Sequence, residues 1–494
     1  MTATLTAEKA TPAPPTSRGR WIEHWEPEDP GFWASAGRKI ARRNLIFSIL
    51  AEHLGFSVWV IWSILVVRMG KLTGANGAPL FPDLVITQTN TVNATKIFWL
   101  VALPNLIGAF MRVPYTLAVA RFGGRNWTII SGLLLLIPVS LASYCVTHPG
   151  TPYWALLACA ATAGFGGGNF ASSMANISYF FPEKKKGIAL GMNAAGGNIG
   201  IASMQLVVPV LVAFFAFPLA YAAKIWFPLV LISALCAFLF MNNLHVARAS
   251  LSDQFAAVKE PHAWVMSFIY IGTFGSFLGL SAAFPSVLQY IFSDPKAKID
   301  KTVFSVPFIT THHGATLVTL LLPFAFLGPL VGSFARPFGG WLADRIGGAK
   351  VTAAVFTLMI LGSFGAIHYA GTHDAPMFIT SMMVLFVMSG TGNGSTYRMI
   401  PAIFKRKLDA DVAASPGTAA ELTTRARRAG AATLGMAGAI GAMGGFILPK
   451  AIGDSIKATH GIGAAFRWFI VLYVVCLLVT VVVYLRPGTR VNNV

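Results

Sequence analysis

Twelve runs of mostly apolar residues divide this chain, at roughly 44–68, 97–120, 127–147, 153–181, 187–214, 223–243, 263–291, 315–342, 351–370, 376–404, 430–452 and 465–485. Each has about the 20 residues that a helix needs to cross a bilayer. Within hydrocarbon every backbone N–H and C=O must be satisfied inside the segment, so the runs predict an all-α membrane protein of twelve transmembrane helices. Charge then gives sidedness. The net charge is +19, which in a soluble chain would suggest nucleic acid. Here charged residues are only 11% of the chain against 55% hydrophobic, and the excess marks loops. Of the 37 Lys and Arg, 24 fall in the segments 1–43, 121–126, 182–186, 244–262, 343–350, 405–429 and 486–494. Those segments are expected in the cytoplasm, with both termini. In the first of them, Trp21, Trp25 and Trp33 are expected along the membrane surface, and no apolar core of a secretory signal is present. Cys145, Cys159, Cys236 and Cys476 lack metal-ligand spacing and read as buried apolar thiols.

The two halves of the chain repeat. RVPYTLAVARFGGRNW from Arg112 aligns without a gap on RPFGGWLADRIGGAKV from Arg336, matching Arg121 with Arg345 and Gly123-Gly124 with Gly347-Gly348. LGMNAAGGNIG from Leu190 aligns on LGMAGAIGAMG from Leu434. Two pseudo-symmetric six-helix halves, 44–243 and 263–485, joined by a linker at 244–262 and flanked by cytoplasmic segments 1–43 and 486–494, predict a major facilitator fold with its site between the halves.

Ionisable groups inside a span are costly and point to function. Arg112 and Arg336 each lie about nine residues from a basic loop, roughly 13 Å into a hydrocarbon core of about 30 Å. Pseudo-symmetry faces them across the central cavity. Of 18 Asp and Glu, Glu52 is the one placed clearly within a predicted span, and one acid cannot neutralise two arginines. An anionic substrate is the expectation, planar oxyanions suiting the guanidinium fork. The alternative is that each arginine pairs with a carboxylate or with helix carbonyls. Arg398, beside Lys405-Arg406-Lys407, is expected to snorkel to the interface. Asp344 and Arg345, in the loop between spans eight and nine, are candidates for a conformational latch. The first-half copy carries Ala120 in place of Asp344.

The stretch GFGGGNFASSMANISYFFPEKKKGIALGMNAAGGNIG from Gly164 to Gly200, together with WEPEDPGFW at 25–33, GTGNGSTYRMIPAIF from Gly390 and GAIGAMGGFILPK ending at Lys450, resembles the nitrate/nitrite porter (NarK-like) family of the major facilitator superfamily over nearly the whole chain. The resemblance implies transport of nitrate and nitrite across the inner membrane by alternating access. It implies that Arg112 and Arg336 bind the anion, that Phe170 packs on its face, that Asn193 and Asn198 are the signature asparagines of span five, and that Tyr270 is the pocket tyrosine. Simple core packing is the alternative for Phe170, and helix–helix hydrogen bonding for the asparagines. Ala437 and Ala442 stand at the aligned second-half positions, so the amides come from one half.

Span one departs from the pattern expected of the family's exchangers by carrying Glu52-His53, a pair able to carry a proton. The stretch 292–314, with Lys296, Lys298, Lys301 and His312-His313, is longer than expected and is a candidate anion funnel. The function predicted is nitrate/nitrite exchange, because an empty site leaves two like charges facing each other. Proton-coupled nitrate uptake through Glu52 and His53 is the alternative, and a non-transporting anion sensor a remote one. An enzyme is not expected, since GFGGGN lies in an apolar span rather than after a strand, and no metal cluster or nucleophile–base pair stands out. The expected partners are nitrate, nitrite and the lipid bilayer, with no nucleic acid, no cofactor and a single chain as the working unit.

Overall fold

The computed structural model describes residues 16–17, 20–88, 90–247, 256–292, 302–310, 316–414, 419–488, 491 and 494. Among the described residues, ten helices are long and apolar enough to cross a membrane. They are α1 (Pro30–Met69), α2 (Thr91–Phe122), α3 (Gly124–Thr147), α5 (Glu183–Val212), α6 (Tyr221–Phe240), α7 (Pro261–Phe292), α9 (Gly348–Gly371), α10 (Ala375–Ala414), α11 (Arg428–Thr459) and α12 (Gly463–Leu485). Two further helices fill the remaining predicted spans. α4 runs in two pieces, Tyr153–Thr162 and Phe165–Phe180, and α8 is Leu327–Ile346.

The half-repeat is visible in the backbone. α2 and α8 both end on a glycine of positive φ, Gly123 at 86° and Gly347 at 96°, and each glycine N–H closes the preceding turn on a carbonyl four residues back. A side chain would be strained at either place. The next helix starts at the following glycine in both halves.

Helices within a half meet backbone to backbone. Water is absent there, so close van der Waals packing rather than the hydrophobic effect brings helices together, and small residues permit the approach. Gly166 on α4 faces the carbonyl of Gly55 on α1, and Gly200 on α5 faces that of His53. In the second half Gly390 and Gly394 on α10 face the carbonyls of Gly332 and Arg336 on α8. The clustered glycines of the signature stretches therefore fix which helices touch.

The halves close on each other at the end away from the loops at 183–187 and 343–348. Gln205 on α5 donates to the Ser281 carbonyl on α7 at 2.7 Å, Trp99 on α2 packs edge-on against Phe446 on α11 with centroids 5.5 Å apart, and Gly453 leaves room for Phe98, whose Cβ would stand 2.8 Å from an added methyl.

Two expectations need correction, and a third falls outside the described residues. The predicted span eight, 315–342, is helical only from Leu327. Its first part is strand β5 (Thr316–Pro323), antiparallel to β4 (Val303–Thr310) with Val303 opposite Pro323. An apolar run rich in β-branched residues and closed by a proline does not by itself distinguish strand from helix. The basic residues of the 292–314 stretch, Lys296, Lys298, Lys301 and His312-His313, lie outside the described residues. The N-terminal tryptophans dock on protein rather than lying along a lipid surface. Trp25 is buried, donates from Nε1 to the Tyr179 carbonyl at 3.0 Å and packs edge-on against Phe180, while Trp33 lies against Phe181. Short strands β1 (Thr16–Ser17), β2 (Trp21–Ile22) and β3 (Asn243–Leu244) tie this segment to the exit of α6.

A Cβ on Gly394 would stand 2.6 Å from the Gly340 nitrogen as well as against the Arg336 carbonyl. Gly394→Val should therefore destabilise the fold by about 1–3 kcal/mol or more, read as a lower thermal-unfolding midpoint in detergent. Gly371→Ala, with nothing within 4 Å of the new methyl, should leave the midpoint in place.

Candidate functional site

α2 and α8 each carry one arginine into the protein interior, and the two meet at the same aromatic rings. Arg112 and Arg336 are 1% and 3% exposed. The Arg112 guanidinium carbon lies 4.6 Å from the Phe170 ring centroid and 4.8 Å from that of Phe274. Arg336 lies 5.4 Å and 5.9 Å from the same two centroids. The rings are stacked 5.6 Å apart at 28°. Each cation thus gains the attraction of a ring quadrupole, about 2 kcal/mol when desolvated.

Neither arginine forms an ion pair among the described residues. Arg112 Nη1 donates to the Gly438 carbonyl on α11 at 2.7 Å, across the boundary between halves, and its Nε and Nη2 have no protein partner. Arg336 Nη2 donates to the Tyr270 hydroxyl at 3.2 Å, and its Nη1 has no protein partner. Buried donors left unmade are costly, by about 1–3 kcal/mol each and more when charged. The arrangement therefore offers several N–H groups and two positive charges to an anion, with phenyl faces beside them.

The elements around the arginines are shaped for this. α7 makes a π-helical turn at Ile271–Gly275, directly after Tyr270, which brings Phe274 beside Tyr270 with centroids 5.1 Å apart. Such turns recur at functional sites. Tyr397 on α10 lies 5.6 Å from the Arg336 carbon and Trp59 on α1 lies 5.6 Å from that of Arg112. Sequence reasoning missed Phe274, Tyr397 and the Gly438 carbonyl. Phe274 stands one turn after Tyr270, a usable signal, whereas a backbone carbonyl leaves no mark in the sequence.

The structure gathers the other candidates differently. Asn193 is fully buried, but its Nδ2 donates to Glu52 Oε2 and to Ser173 Oγ, both at 2.7 Å, so those two groups take its N–H donors. Asn198 is equally buried and neither side-chain atom has a protein partner. Glu52 and His53 point apart. Glu52 goes to Ser173 and Asn193, whereas His53 Nδ1 lies 3.1 Å from the Gly196 carbonyl on α5. The latch expected of Asp344 and Arg345 takes a different form, because consecutive residues on a helix face different ways. Asp344 pairs with Arg398 on α10, while Arg345 stacks over the Trp341 ring at 4.0 Å. Arg398 Nη1 in turn stands 3.3 Å from where a Cβ on Gly187 of α5 would lie. So Arg398 reaches the other half, and its partner Asp344 anchors it. A separate cavity of about 710 Å³ at this end is lined by Asp344, Arg345, Lys350, Arg398, Lys405 and Arg406, and by none of the residues around Phe170.

A membrane bundle of two repeated halves, with buried cations from each half converging between them, has the build of a solute carrier. The family model of the Major Facilitator Superfamily matches residues 54–415. The nitrate/nitrite transporter NarU of Escherichia coli (strain K12) is 37% identical over 94% of this chain and 96% of its own length. The probable nitrate/nitrite antiporter NarK2 of Thermus thermophilus is 32% identical over 96% of this chain and 99% of its own. Among solved structures, a D-xylose-proton symporter has the same fold, with a TM-score of 0.59 over 89% of this chain and 97% of that one at 14% identity. The chain belongs to the Major Facilitator Superfamily and, within it, to the NarK-like family that its motifs resemble.

The fit around Glu52 gives a structural test. A Cβ on Gly197 would lie 2.5 Å from Glu52 Oε1 and 2.7 Å from its Cγ. Gly197→Ala should cost about 1–3 kcal/mol. In a double-mutant cycle with Glu52→Ala most of that loss should disappear, a coupling of about 1 kcal/mol or more measured by thermal unfolding.

Proposed function

We propose that this protein carries nitrate and nitrite across the cytoplasmic membrane by alternating access, exchanging one anion for the other. The observation that carries the reading is the pair of buried guanidiniums over the Phe170 ring, one from each half, with no carboxylate paired to either among the described residues. Nitrate is flat and monovalent. Its oxygens accept from N–H groups in plane, and its face packs on a phenyl ring. Phe170 and Phe274 supply such faces. Arg112 Nε and Nη2 and Arg336 Nη1 supply donors that the protein leaves unused. Tyr270 holds Arg336, and Asn198 brings an uncommitted amide in α5. Asn193 acts through Glu52 and Ser173 rather than as a donor to the anion. The names of the relatives support the same substrates.

The halves 44–243 and 263–485 are the moving bodies, with 244–262 as the cytoplasmic linker. The excess of Lys and Arg in the segments named above supports cytoplasmic termini, and with that orientation the packed end marked by Gln205, Trp99 and Gly453 faces outward. An anion drawn from the cytoplasmic side offsets the repulsion of the two arginines, and the halves then close over it. A second anion offsets it again on the way back, and exchange follows. One chain holds the whole site, so a monomer suffices. The Asp344–Arg398 pair, set against Gly187, steadies the cytoplasmic end.

Proteoliposomes loaded with nitrite should take up labelled nitrate faster than empty ones. Arg112→Lys and Arg336→Lys keep the charge but lose the planar fork. Each should lower counterflow at least about tenfold, the loss of one charged hydrogen bond, while the protein stays folded by size-exclusion in detergent. Wild-type counterflow in either variant refutes the two-fork site.

A further inference from the structure

The first half contains a buried carboxylate that no described ion pair holds. Glu52 is fully buried on α1. Its Oε2 accepts from Ser173 Oγ on α4 at 2.8 Å and from Asn193 Nδ2 on α5 at 2.7 Å, and Ser173 is bonded in turn to Ser48 Oγ at 2.7 Å. Its Oε1 has no protein partner. Across the site, the charges of Arg336 and Arg112 both act on it.

Glu52 also has a counterpart. It stands four residues before Phe56, whose ring meets Phe170 edge-on at 5.9 Å. Tyr270 stands four residues before Phe274, whose ring stacks on Phe170 at 5.6 Å. The two halves thus place a carboxyl and a phenol each four residues before a phenyl ring that packs on Phe170. The phenol accepts a hydrogen bond from the arginine of its own half, whereas the carboxyl accepts from the neutral Ser173 and Asn193.

We propose that Glu52 is the proton site of this carrier, and that its carboxylate takes the place of the transported anion when the carrier returns empty. The inference rests on the anion-carrier reading above and adds to it a cycle that needs no counter-anion. With a monovalent anion bound and Glu52 protonated, the site holds two guanidinium charges and one negative charge. With the anion gone and Glu52 ionised, it holds the same charges. The interior closes over an equal net charge in both directions. Only the empty, protonated form would close over two uncompensated cations, and that form is confined to exchange. Anion and proton reinforce each other's binding: the anion lowers the positive potential at Glu52, which favours its O–H form, and loss of the carboxylate charge favours the anion. The proton joins Glu52 Oε1 on the outer side and leaves to water on the inner side, one per anion, so the cycle is electroneutral.

On α1 itself His53 turns to the Gly196 carbonyl. α4 and α5 present the neutral Ser173 and Asn193. Beyond them stand Arg112, Arg336, Tyr270 and Tyr397. Of these groups His53 is the one whose ordinary titration lies near neutrality, and the Gly196 carbonyl lies against its Nδ1.

The test uses the full chain in proteoliposomes with a pH-indicating dye inside. In the wild type, an acidic exterior should drive net nitrate uptake without internal nitrite, the lumen should acidify with it, and a potassium–valinomycin potential should leave the rate where it was. Glu52→Gln, fixed in the neutral form, should lower the ratio of net uptake to nitrate/nitrite counterflow at least about tenfold, and Glu52→Asp should restore part of it. Wild-type counterflow without acid-driven net uptake or dye response overturns the proton site while leaving the anion-carrier reading standing. Absence of counterflow overturns that reading itself. Acid-driven uptake that survives in Glu52→Gln removes Glu52 from the role. Should the Gln variant fail to reach the membrane, the wild-type dye response and the Asp variant decide.

Discussion

Two like charges buried against one phenyl ring are a constraint that the surrounding fold must answer. Arg112 and Arg336 are desolvated, and each has donors that the protein leaves unmade. Desolvation and mutual repulsion both oppose closing the bundle around them. The stacked faces of Phe170 and Phe274 recover part of this, as do the Gly438 carbonyl and the Tyr270 hydroxyl. The remainder is left for a ligand. Binding energy of this kind is spent on moving the halves rather than on holding one of them shut, and this separates a carrier from a static binding protein.

Placing two guanidiniums at one ring requires the helices that bear them to be fixed within a few tenths of an ångström. The backbone crossings do this. Gly394 lies against the carbonyl of Arg336 itself, so the signature stretch of α10 sets the height of that arginine directly. In the first half Gly168 on α4 lies beside the Tyr115 ring, three residues beyond Arg112, at 2.6 Å from an added Cβ. Glycine weakens a helix in water by about 1 kcal/mol relative to alanine. Within the bundle that penalty is outweighed by contacts that any side chain would forbid.

Much of this was legible from residue order because the bilayer narrows the choices. Apolar length gave the helices, and the offset between Arg112 and Arg336 gave the half-repeat, which reappears as the matching positive φ of Gly123 and Gly347. What was not legible follows from side-chain direction and backbone chemistry. Asn193 looked like a donor to the anion, but its helix face turns it to Glu52. Asp344 and Arg345 read together as a latch without a partner, because adjacent residues on a helix diverge by about 100° and the sequence does not show that Arg398 from α10 reaches Asp344. The strand at 316–323 was read as helix because an apolar run carries no period when most of its positions are apolar.

The asymmetry between the halves then has a physical meaning. A strictly symmetric site would carry the same group at the positions of Glu52 and Tyr270, and two phenols would leave the empty site with the full repulsion of its arginines. Two carboxylates would cancel both arginines and remove the attraction for an anion. One of each leaves a single net positive charge when the carboxyl is ionised, enough to draw a monovalent anion to the rings. The neutral amide and hydroxyls around Glu52 keep that carboxyl from collapsing onto Arg112 in a permanent ion pair, because Ser173 and Asn193 hold Oε2 away from it. The second half carries Ala437 at the position aligned with Asn193, in keeping with this: an amide is needed only where there is a carboxylate to hold.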